Sequence, residues 1–144
     1  MKKFIFWALA SHGMGISGGD RIYIEFARRW SKKYPIAIAT WEEGMAMMAR
    51  NNLRPGPNLS FTPLFVPRAQ FLLRYIFRIF ISVHKSLTLN IDLPNQIYLY
   101  PASEFWMDSL PAFILKLRYP TLKWIATWFQ TAPNPLVGFS SGRY

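Results

Sequence analysis

The fold of this chain is decided by the stretch FIFWALASHGMGISGGD, residues 4–20. Its first seven residues are an unbroken apolar run of the length of a buried strand, and residues 11–20 contain four glycines. A helical pattern follows to about residue 33, and Ser17 and Asp20 at its start resemble a capping box. Strand, glycine-rich loop and helix in this order predict the first unit of a parallel sheet.

The same plan repeats along the rest of the 144 residues. Apolar stretches predict strands over residues 36–40, 59–62, 96–100 and 123–129, and helical patterns cover residues 42–51, 68–87 and 109–118. Pro111 suits the first turn of the last helix, where its missing N–H group costs nothing. We therefore predict one α/β domain with a Rossmann-like parallel sheet of strand order 3-2-1-4-5 and helices on both faces.

Composition excludes several kinds of chemistry. The chain has no cysteine, which excludes disulfides, thiolate metal sites and a cysteine nucleophile, and only His12 and His84 offer imidazole. We therefore expect no zinc site. The formal net charge is +10, from 17 Lys and Arg against 7 Asp and Glu, which favours anionic partners such as nucleic acid, acidic lipids or phosphorylated substrates.

Two features resemble membrane-directed segments. Residues 2–10 have a lysine pair, an apolar run and Ala8-Leu9-Ala10, but they are fewer than the roughly 15–30 residues of a secretory signal. The longest apolar run, residues 71–83, is broken by Arg74 and Arg78 and falls short of the roughly 18 residues of a membrane span. We expect a soluble or peripheral protein.

In a sheet of this order, ligands bind at the carboxyl ends of the strands where the order reverses, here between the first and fourth strands. The loops that meet there are residues 11–20, 103–108 and 130–138. The first contains GMGISG, residues 13–18, a match to G-x-G-x-x-G. Its glycines would let backbone N–H groups approach an anion at a helix N-terminus. The alternative is a glycine-rich turn that only permits close packing of strand against helix.

The loop after the fourth strand carries carboxylates and aromatic rings, in EFWMD, residues 104–108. Carboxylates accept hydrogen bonds from hydroxyls, and aromatic rings cover the apolar faces of sugars, so Glu104, Trp106 and Asp108 fit a polyhydroxylated ligand. Phe105 is expected in the core. The alternative for Trp106 is also a core position, and the alternative for Asp108 is a helix cap. His12, at the end of the first strand, is a weak candidate for a general base or positioning group, and a purely structural role is the alternative.

Two stretches carry a resemblance to a known family. The first is GISGGDR, residues 15–21, followed by a helix that contains EFARR, residues 25–29. The second is SEFWMDSLP, residues 103–111, with KWIAT, residues 123–127, and APNP, residues 132–135. Together they resemble the N-terminal domain of family 4 glycosyltransferases with the GT-B fold, across about the whole chain at low similarity.

The resemblance implies transfer of a glycosyl group from a nucleotide sugar to a glycan or glycolipid acceptor, with retention of anomeric configuration and with no required metal or cofactor. Residues 1–144 would form the acceptor-side domain, and a C-terminal domain would bind the donor. The amides of Gly18 and Gly19 would face the donor phosphates. The residues that would bind the acceptor are His12, Glu104, Trp106, Asp108, Gln130 and Asn134.

Two features depart from the family's pattern. The donor domain usually carries two glutamates spaced E-x7-E, and no pair of glutamates in this chain has that spacing. Many relatives also place a histidine just after the fifth strand, where Trp128-Phe129-Gln130 stands here. We therefore expect the donor domain to lie outside these residues, and the chain to be inactive alone.

The long helix predicted over residues 68–87 places Arg74, Arg78 and Lys85 on one narrow stripe beside a wide apolar surface. Such a helix can lie on an anionic membrane, which suits an enzyme with a lipid-linked acceptor. The alternative is a half-buried helix whose arginines are solvated. We expect a cytoplasmic protein, and the membrane interpretation of this helix would place it peripherally on the inner face of the cell membrane.

Two other functions stay open. The glycine motif and Glu42, just after the second strand, also fit an NAD-type dinucleotide-binding domain of an oxidoreductase, in which the acid binds the ribose. The third possibility is a nonenzymatic basic module that binds membrane or nucleic acid. Because the basic residues are dispersed and no nucleic-acid motif occurs, we expect no nucleic-acid partner.

Overall fold

The computed structural model describes residues 2–11, 15–68, 70–91 and 96–127. The five strands of this part of the chain are parallel and lie in the order β3-β2-β1-β4-β5. The predicted α/β fold and strand order are confirmed. The elements in chain order are β1 (Lys2–Trp7), α1 (Gly18–Trp30), β2 (Ile36–Trp41), α2 (Glu42–Arg50), β3 (Leu59–Leu64), α3 (Phe71–Thr88), β4 (Gln96–Pro101), α4 (Trp106–Arg118) and β5 (Lys123–Trp124).

The sheet is covered on both faces because successive side chains of its apolar strands point to opposite sides. On one face, Phe6 of β1 lies in a core with Tyr23 of α1 and Met47 of α2. On the other face, Trp7 lies in a core with Leu115 of α4, and α3 packs beside it. This arrangement brings the loops after β1 and β4 to the same edge of the sheet.

Two helix ends show how local sequence sets these elements. Ser17 caps α1: its Oγ accepts a hydrogen bond from the Asp20 N–H at 3.1 Å, and the Asp20 carboxylate accepts one from the Ser17 N–H at 2.9 Å, so the predicted capping box is confirmed. After α2, Asn52 adopts a left-handed conformation with φ 58°. The N–H of Leu53 then donates to the Met48 carbonyl at 2.9 Å, closing a Schellman motif.

Several predicted boundaries differ from the structure. Helix α4 begins at Trp106, three residues before the predicted start, so Pro111 is its sixth residue and lies beyond the first turn. Strand β3 continues through Pro63, which is tolerated because β3 is an edge strand. Strand β5 is shorter than predicted, although the Ile125 N–H still donates to the Leu99 carbonyl.

Candidate functional site

A cavity of about 750 Å³ opens at the carboxyl edge of the sheet, between the loop after β1 and the loop after β4. Its wall is formed by residues 10–11, 15–20, 22, 102–105 and 108. It lies where the strand order reverses, which is where sheets of this kind bind ligands. The geometry makes this cavity the candidate functional site.

The wall of the cavity is acidic, although the whole chain has a net charge of +10. It includes Asp20, Glu104 and Asp108, together with three serines, and no Lys or Arg is found among its described residues. The three serine hydroxyls already donate to Asp20 and Asp108, so these groups shape the wall. Glu104 is the wall carboxylate that can accept hydrogen bonds from a ligand with hydroxyl groups. Within the described residues, no cluster of His, Cys, Asp or Glu is arranged to hold a metal ion.

Asp20 joins the two ends of the glycine loop. One carboxylate oxygen accepts a hydrogen bond from the Ser11 hydroxyl at 2.8 Å, and the other accepts from the Ser17 N–H at 2.9 Å. The Ser11 hydroxyl also lies 3.4 Å from the buried hydroxyl of Tyr23. Burial raises the pKa of Tyr23, so this hydroxyl stays protonated. Ser11, at one end of the loop, is therefore tied through Asp20 to Ser17 at the other end.

Asp108 connects the two loops from beneath the cavity. Its Oδ1 accepts a hydrogen bond from the Leu9 N–H at 2.6 Å, and its Oδ2 accepts one from the Ser103 hydroxyl at 2.6 Å. Burial raises the pKa of this carboxyl to about 7, although these two hydrogen bonds and a third from the Ala10 N–H act in the opposite direction. Because Asp108 is 0% exposed, its predicted contact with an acceptor is not supported, and we interpret it as a positioning residue.

The segment between β1 and the glycine loop is held from three further directions. The Thr40 hydroxyl donates to the Ala8 carbonyl at 2.8 Å, and the Trp41 Nε1 donates to the Ser11 carbonyl at 2.8 Å. The guanidinium of Arg78, on α3, donates to the Leu9 carbonyl at 3.3 Å. No sequence pattern predicted these partners, because each comes from an element distant in the chain.

The predicted cationic stripe on the long helix does not face outward. The Arg78 guanidinium lies 3.2 Å from the centre of the Trp41 ring, and that of Arg74 lies 4.6 Å from it. Both pair with Glu43, at 3.7 and 3.0 Å. Ion pairing and cation–π contact offset the desolvation of Arg78, which is 4% exposed and whose pKa burial lowers to about 10. Lys85 is half-buried.

These positions correct the membrane prediction for Arg74, Arg78 and Lys85. The first two are engaged at the carboxyl edge of the sheet, and Lys85 lines a second cavity beside β1, β2 and β3. A membrane-facing stripe made of these three residues is therefore wrong, as is the alternative that the arginines are simply solvated.

The loop after β4 presents the predicted Glu104 to the cavity, together with Phe105 in place of the predicted Trp106. Glu104 and Phe105 lie in the cavity wall. Phe105, which was expected in the core, is 52% exposed, so its ring is available to a ligand. Trp106 is 68% exposed but is not part of the described wall, since it begins α4 and lies outside the cavity.

Gly18 and Gly19 both lie in the cavity wall, at the start of α1. A side-chain carbon added at Gly15 or Gly18 would meet no atom within 4 Å, and neither residue has a positive φ. Close packing of strand against helix therefore does not require glycine at these two positions. What glycine provides here is access to the backbone, and the first-turn N–H groups of a helix have no partner within the helix.

Three predicted site residues lie outside the described residues. They are His12, Gln130 and Asn134, and their predicted roles stay predictions. The same holds for Gly13 of the glycine motif.

No family model, curated protein or solved structure matches this chain. The function of the cavity must therefore be inferred from its own residues.

The position of Glu42 bears on the dinucleotide alternative. Glu42 is exposed at the first position of α2, but no residue of β2 or α2 belongs to the described cavity wall. In a dinucleotide site, the third glycine permits close packing of helix and strand, and Gly18 has open space instead. The geometry therefore gives the dinucleotide alternative less support than the sequence did.

Proposed function

We propose that this chain is the acceptor-binding half of a retaining glycosyltransferase with the GT-B fold, similar to family 4. It would bind a glycan or glycolipid acceptor in the cavity at the carboxyl edge of its sheet. A second domain, in the same polypeptide or another, would bind the nucleotide sugar. The observation that carries this proposal is the cavity between the glycine loop and the loop after β4, whose wall contains the Glu104 carboxylate and the exposed Phe105 ring.

The residues of the wall fit a sugar better than a free anion. The Glu104 carboxylate can accept hydrogen bonds from two neighbouring hydroxyls, and the exposed ring of Phe105 can cover an apolar sugar face. The oxygens of Asp20 already accept from Ser11 and Ser17, so that carboxylate shapes the loop. Glu104 is therefore the residue we assign to acceptor recognition.

The N-terminus of α1 would assist the departure of the donor diphosphate. The first-turn amides of Gly18 and Gly19 and the positive end of the helix favour negative charge. The neighbouring Asp20 carboxylate weakens this field. Since the described wall contains no Lys or Arg, the cations that neutralise the diphosphate would have to come from the donor domain.

The test compares ligand classes on the purified chain by titration calorimetry. The probes are methyl glycosides of glucose, galactose, mannose and N-acetylglucosamine, with NAD+ as the rival ligand. We expect at least one glycoside to bind, and Glu104→Gln to weaken it about tenfold or more, since a hydrogen bond to a charged group is worth about 1.5–3 kcal/mol. Glu42→Gln is the matched control and should leave glycoside binding unchanged.

The opposite binding result would contradict this proposal. Binding of NAD+ that is lost in Glu42→Gln, together with no binding of any glycoside, would assign the chain to the dinucleotide-binding class.

A further inference from the structure

Cations gather at the amino edge of the sheet, where the strands begin and the helices end. The last turns of α1, α2 and α4 carry Arg28, Arg29, Arg50, Lys116 and Arg118. The negative end of a helix dipole favours cations at such positions, but its effect falls off within the last turn. Lys32 and Arg54 follow α1 and α2 beyond their last turns, so the dipole does not account for them.

A cavity of about 360 Å³ opens at this edge, between the end of α1 and the turn that joins α2 to β3. We name it the amino-edge cavity. Residues 28, 31 and 32 form one side of its wall, and residues 52–54 and 56–59 form the other. Arg28, Lys32 and Arg54 belong to this wall, and no Asp or Glu is found among its described residues. The volume lies within the range of roughly 300–1,000 Å³ that small-molecule sites occupy.

Hydrogen bonds hold both sides of the amino-edge cavity in place. The Arg28 Nη2 donates to the Asn51 carbonyl at 2.6 Å, which ties the end of α1 to the end of α2. In the turn before β3, Gly56 and Leu59 exchange backbone hydrogen bonds at 2.9 and 3.1 Å. The cavity is therefore preformed, and a ligand does not have to order the chain in order to bind.

The three cations of the wall differ in what they contact. The Arg28 guanidinium pairs with Glu25, so its charge is offset. Lys32 and Arg54 are exposed, and neither forms an ion pair with another described residue. Two like charges that line one cavity repel each other, whereas an anion between them attracts both. The amino-edge cavity therefore favours an anionic ligand.

The side chains of the wall indicate which anion fits. A guanidinium can donate to two phosphate oxygens at once, and an ammonium acts on phosphate as a point charge. A phosphate monoester has three terminal oxygens and close to two negative charges at neutral pH, so it can engage Lys32 and Arg54 together. Beside these cations the wall contains the exposed ring of Pro57, which offers an apolar surface to the rest of such a molecule.

We propose that the amino-edge cavity binds a small phosphate monoester, with its phosphate between Lys32 and Arg54 and the rest of the molecule against Pro57. This cavity lies at the opposite edge of the sheet from the proposed acceptor site. The inference therefore holds whatever the acceptor site binds.

Titration calorimetry of the purified chain tests the ligand class. The probes are AMP, glucose 6-phosphate and inorganic phosphate, and adenosine and glucose are the matched uncharged compounds. The salt concentration is about 0.15 M, where the Debye length of about 8 Å limits attraction by cations outside the cavity. We expect at least one of the two esters to bind and its uncharged counterpart not to bind.

Substitutions then test the position of the phosphate. Lys32→Gln and Arg54→Gln should each weaken binding of the ester about tenfold or more, because each removes a charged donor to the phosphate. Lys33→Gln is the matched control, since it removes the same charge from the next residue. Lys33 is not part of the described wall, and its ammonium lies 5.5 Å from the centre of the Tyr34 ring. We expect this control to change the affinity less than twofold, and melting temperatures check that all variants fold.

Phosphate groups also occur in lipid headgroups and in nucleic acids. None of the described helices is long and apolar enough to cross a membrane. Sedimentation with phosphatidylglycerol vesicles and titration with a duplex oligonucleotide test these two sources of phosphate. We expect any binding of either to respond equally to Lys32→Gln and Lys33→Gln, because it would depend on the net charge of the chain.

Three results would overturn the proposal. The first is that neither ester binds, or that an ester and its uncharged counterpart bind equally. The second is an equal loss of ester binding in Lys32→Gln and Lys33→Gln, which would assign binding to net charge instead of the amino-edge cavity. The third is binding of vesicles or of the duplex that displaces the ester and is weakened by Lys32→Gln but not by Lys33→Gln. None of these results bears on glycoside binding, so the two proposals fail separately.

Discussion

Replacing Asp108 by Asn should remove a pH dependence from the stability of this protein. The carboxyl is buried and accepts hydrogen bonds from the Leu9 N–H and the Ser103 hydroxyl. The Asn oxygen can accept from the Leu9 N–H, and its amide can donate to the Ser103 oxygen, but the carboxyl also accepts from the Ala10 N–H, and Asn has one acceptor oxygen fewer. Asn cannot ionise. Because a lost hydrogen bond changes stability equally at every pH, the pH dependence isolates the effect of ionisation.

The magnitude follows from the pKa of Asp108, which burial raises from 3.8 to about 7. Between these values the folded state keeps a proton that the unfolded state releases, so the free energy of unfolding falls as pH rises through this window. Each pKa unit corresponds to about 1.4 kcal/mol, so the full interval from 3.8 to about 7 corresponds to about 4 kcal/mol at most. Relaxation of the site makes about 2–4 kcal/mol the expected loss.

The assay is equilibrium unfolding in urea from pH 4 to pH 8, for both proteins. We expect the stability of Asp108→Asn relative to wild type to rise by about 2–4 kcal/mol across this range, with most of the change between pH 4 and 7. Carbon NMR of the Asp108 carboxyl should show its titration near neutral pH. A stability difference that does not change with pH would refute the inference that burial makes ionisation of Asp108 unfavourable in the folded protein.

Substitutions at four further positions test separate parts of the structure. Gly18→Ala should leave the melting temperature unchanged or raise stability by up to about 1 kcal/mol, while the added methyl group weakens nucleotide-sugar use by an enzyme that includes the donor domain; full activity would show that close approach to the Gly18 backbone is not needed. Gly44→Ala should cost about 1–3 kcal/mol, because the added carbon would collide with the Thr40 hydroxyl; an unchanged urea midpoint would contradict the packing of α2. Asn52→Ala should cost about 1 kcal/mol because Asn52 is left-handed, and Asn52→Gly should not; equal stability of the two would argue against this turn. Glu43→Gln should cost about 1–3 kcal/mol because it removes the carboxylate that faces two arginines; the loss should shrink in high salt, and a salt-independent loss would point to packing instead.

The fold could be predicted because its signals are local. Apolar strands of the right length, the capping box at Ser17 and Asp20 and the regular alternation of elements are all visible in the sequence. The predicted start of α4 is three residues too late, because the prediction placed Pro111 in the first turn of the helix. The backbone tolerates it at the sixth position, which local rules do not anticipate.

The site was predicted less completely because its key contacts are between distant residues. The loops that form the cavity follow from strand order alone. The inward orientation of Arg78 depends on Trp41 and Glu43, more than 30 residues away in the sequence. The burial of Asp108 likewise depends on Leu9, 99 residues away. Residue type alone suggests that Arg78 is solvated and that Asp108 is exposed. Tertiary packing buries both side chains.

The most direct test of the proposed function is to map which backbone amides respond to a bound sugar. Amide chemical shifts of the isotopically labelled chain are recorded while the methyl glycoside with the highest affinity is added. We predict shifts concentrated at residues 15–22 and 102–105, and their loss in Glu104→Gln. Shifts confined to β2 and α2, or shifts that only NAD+ produces, would contradict the assignment of this cavity to a glycan acceptor.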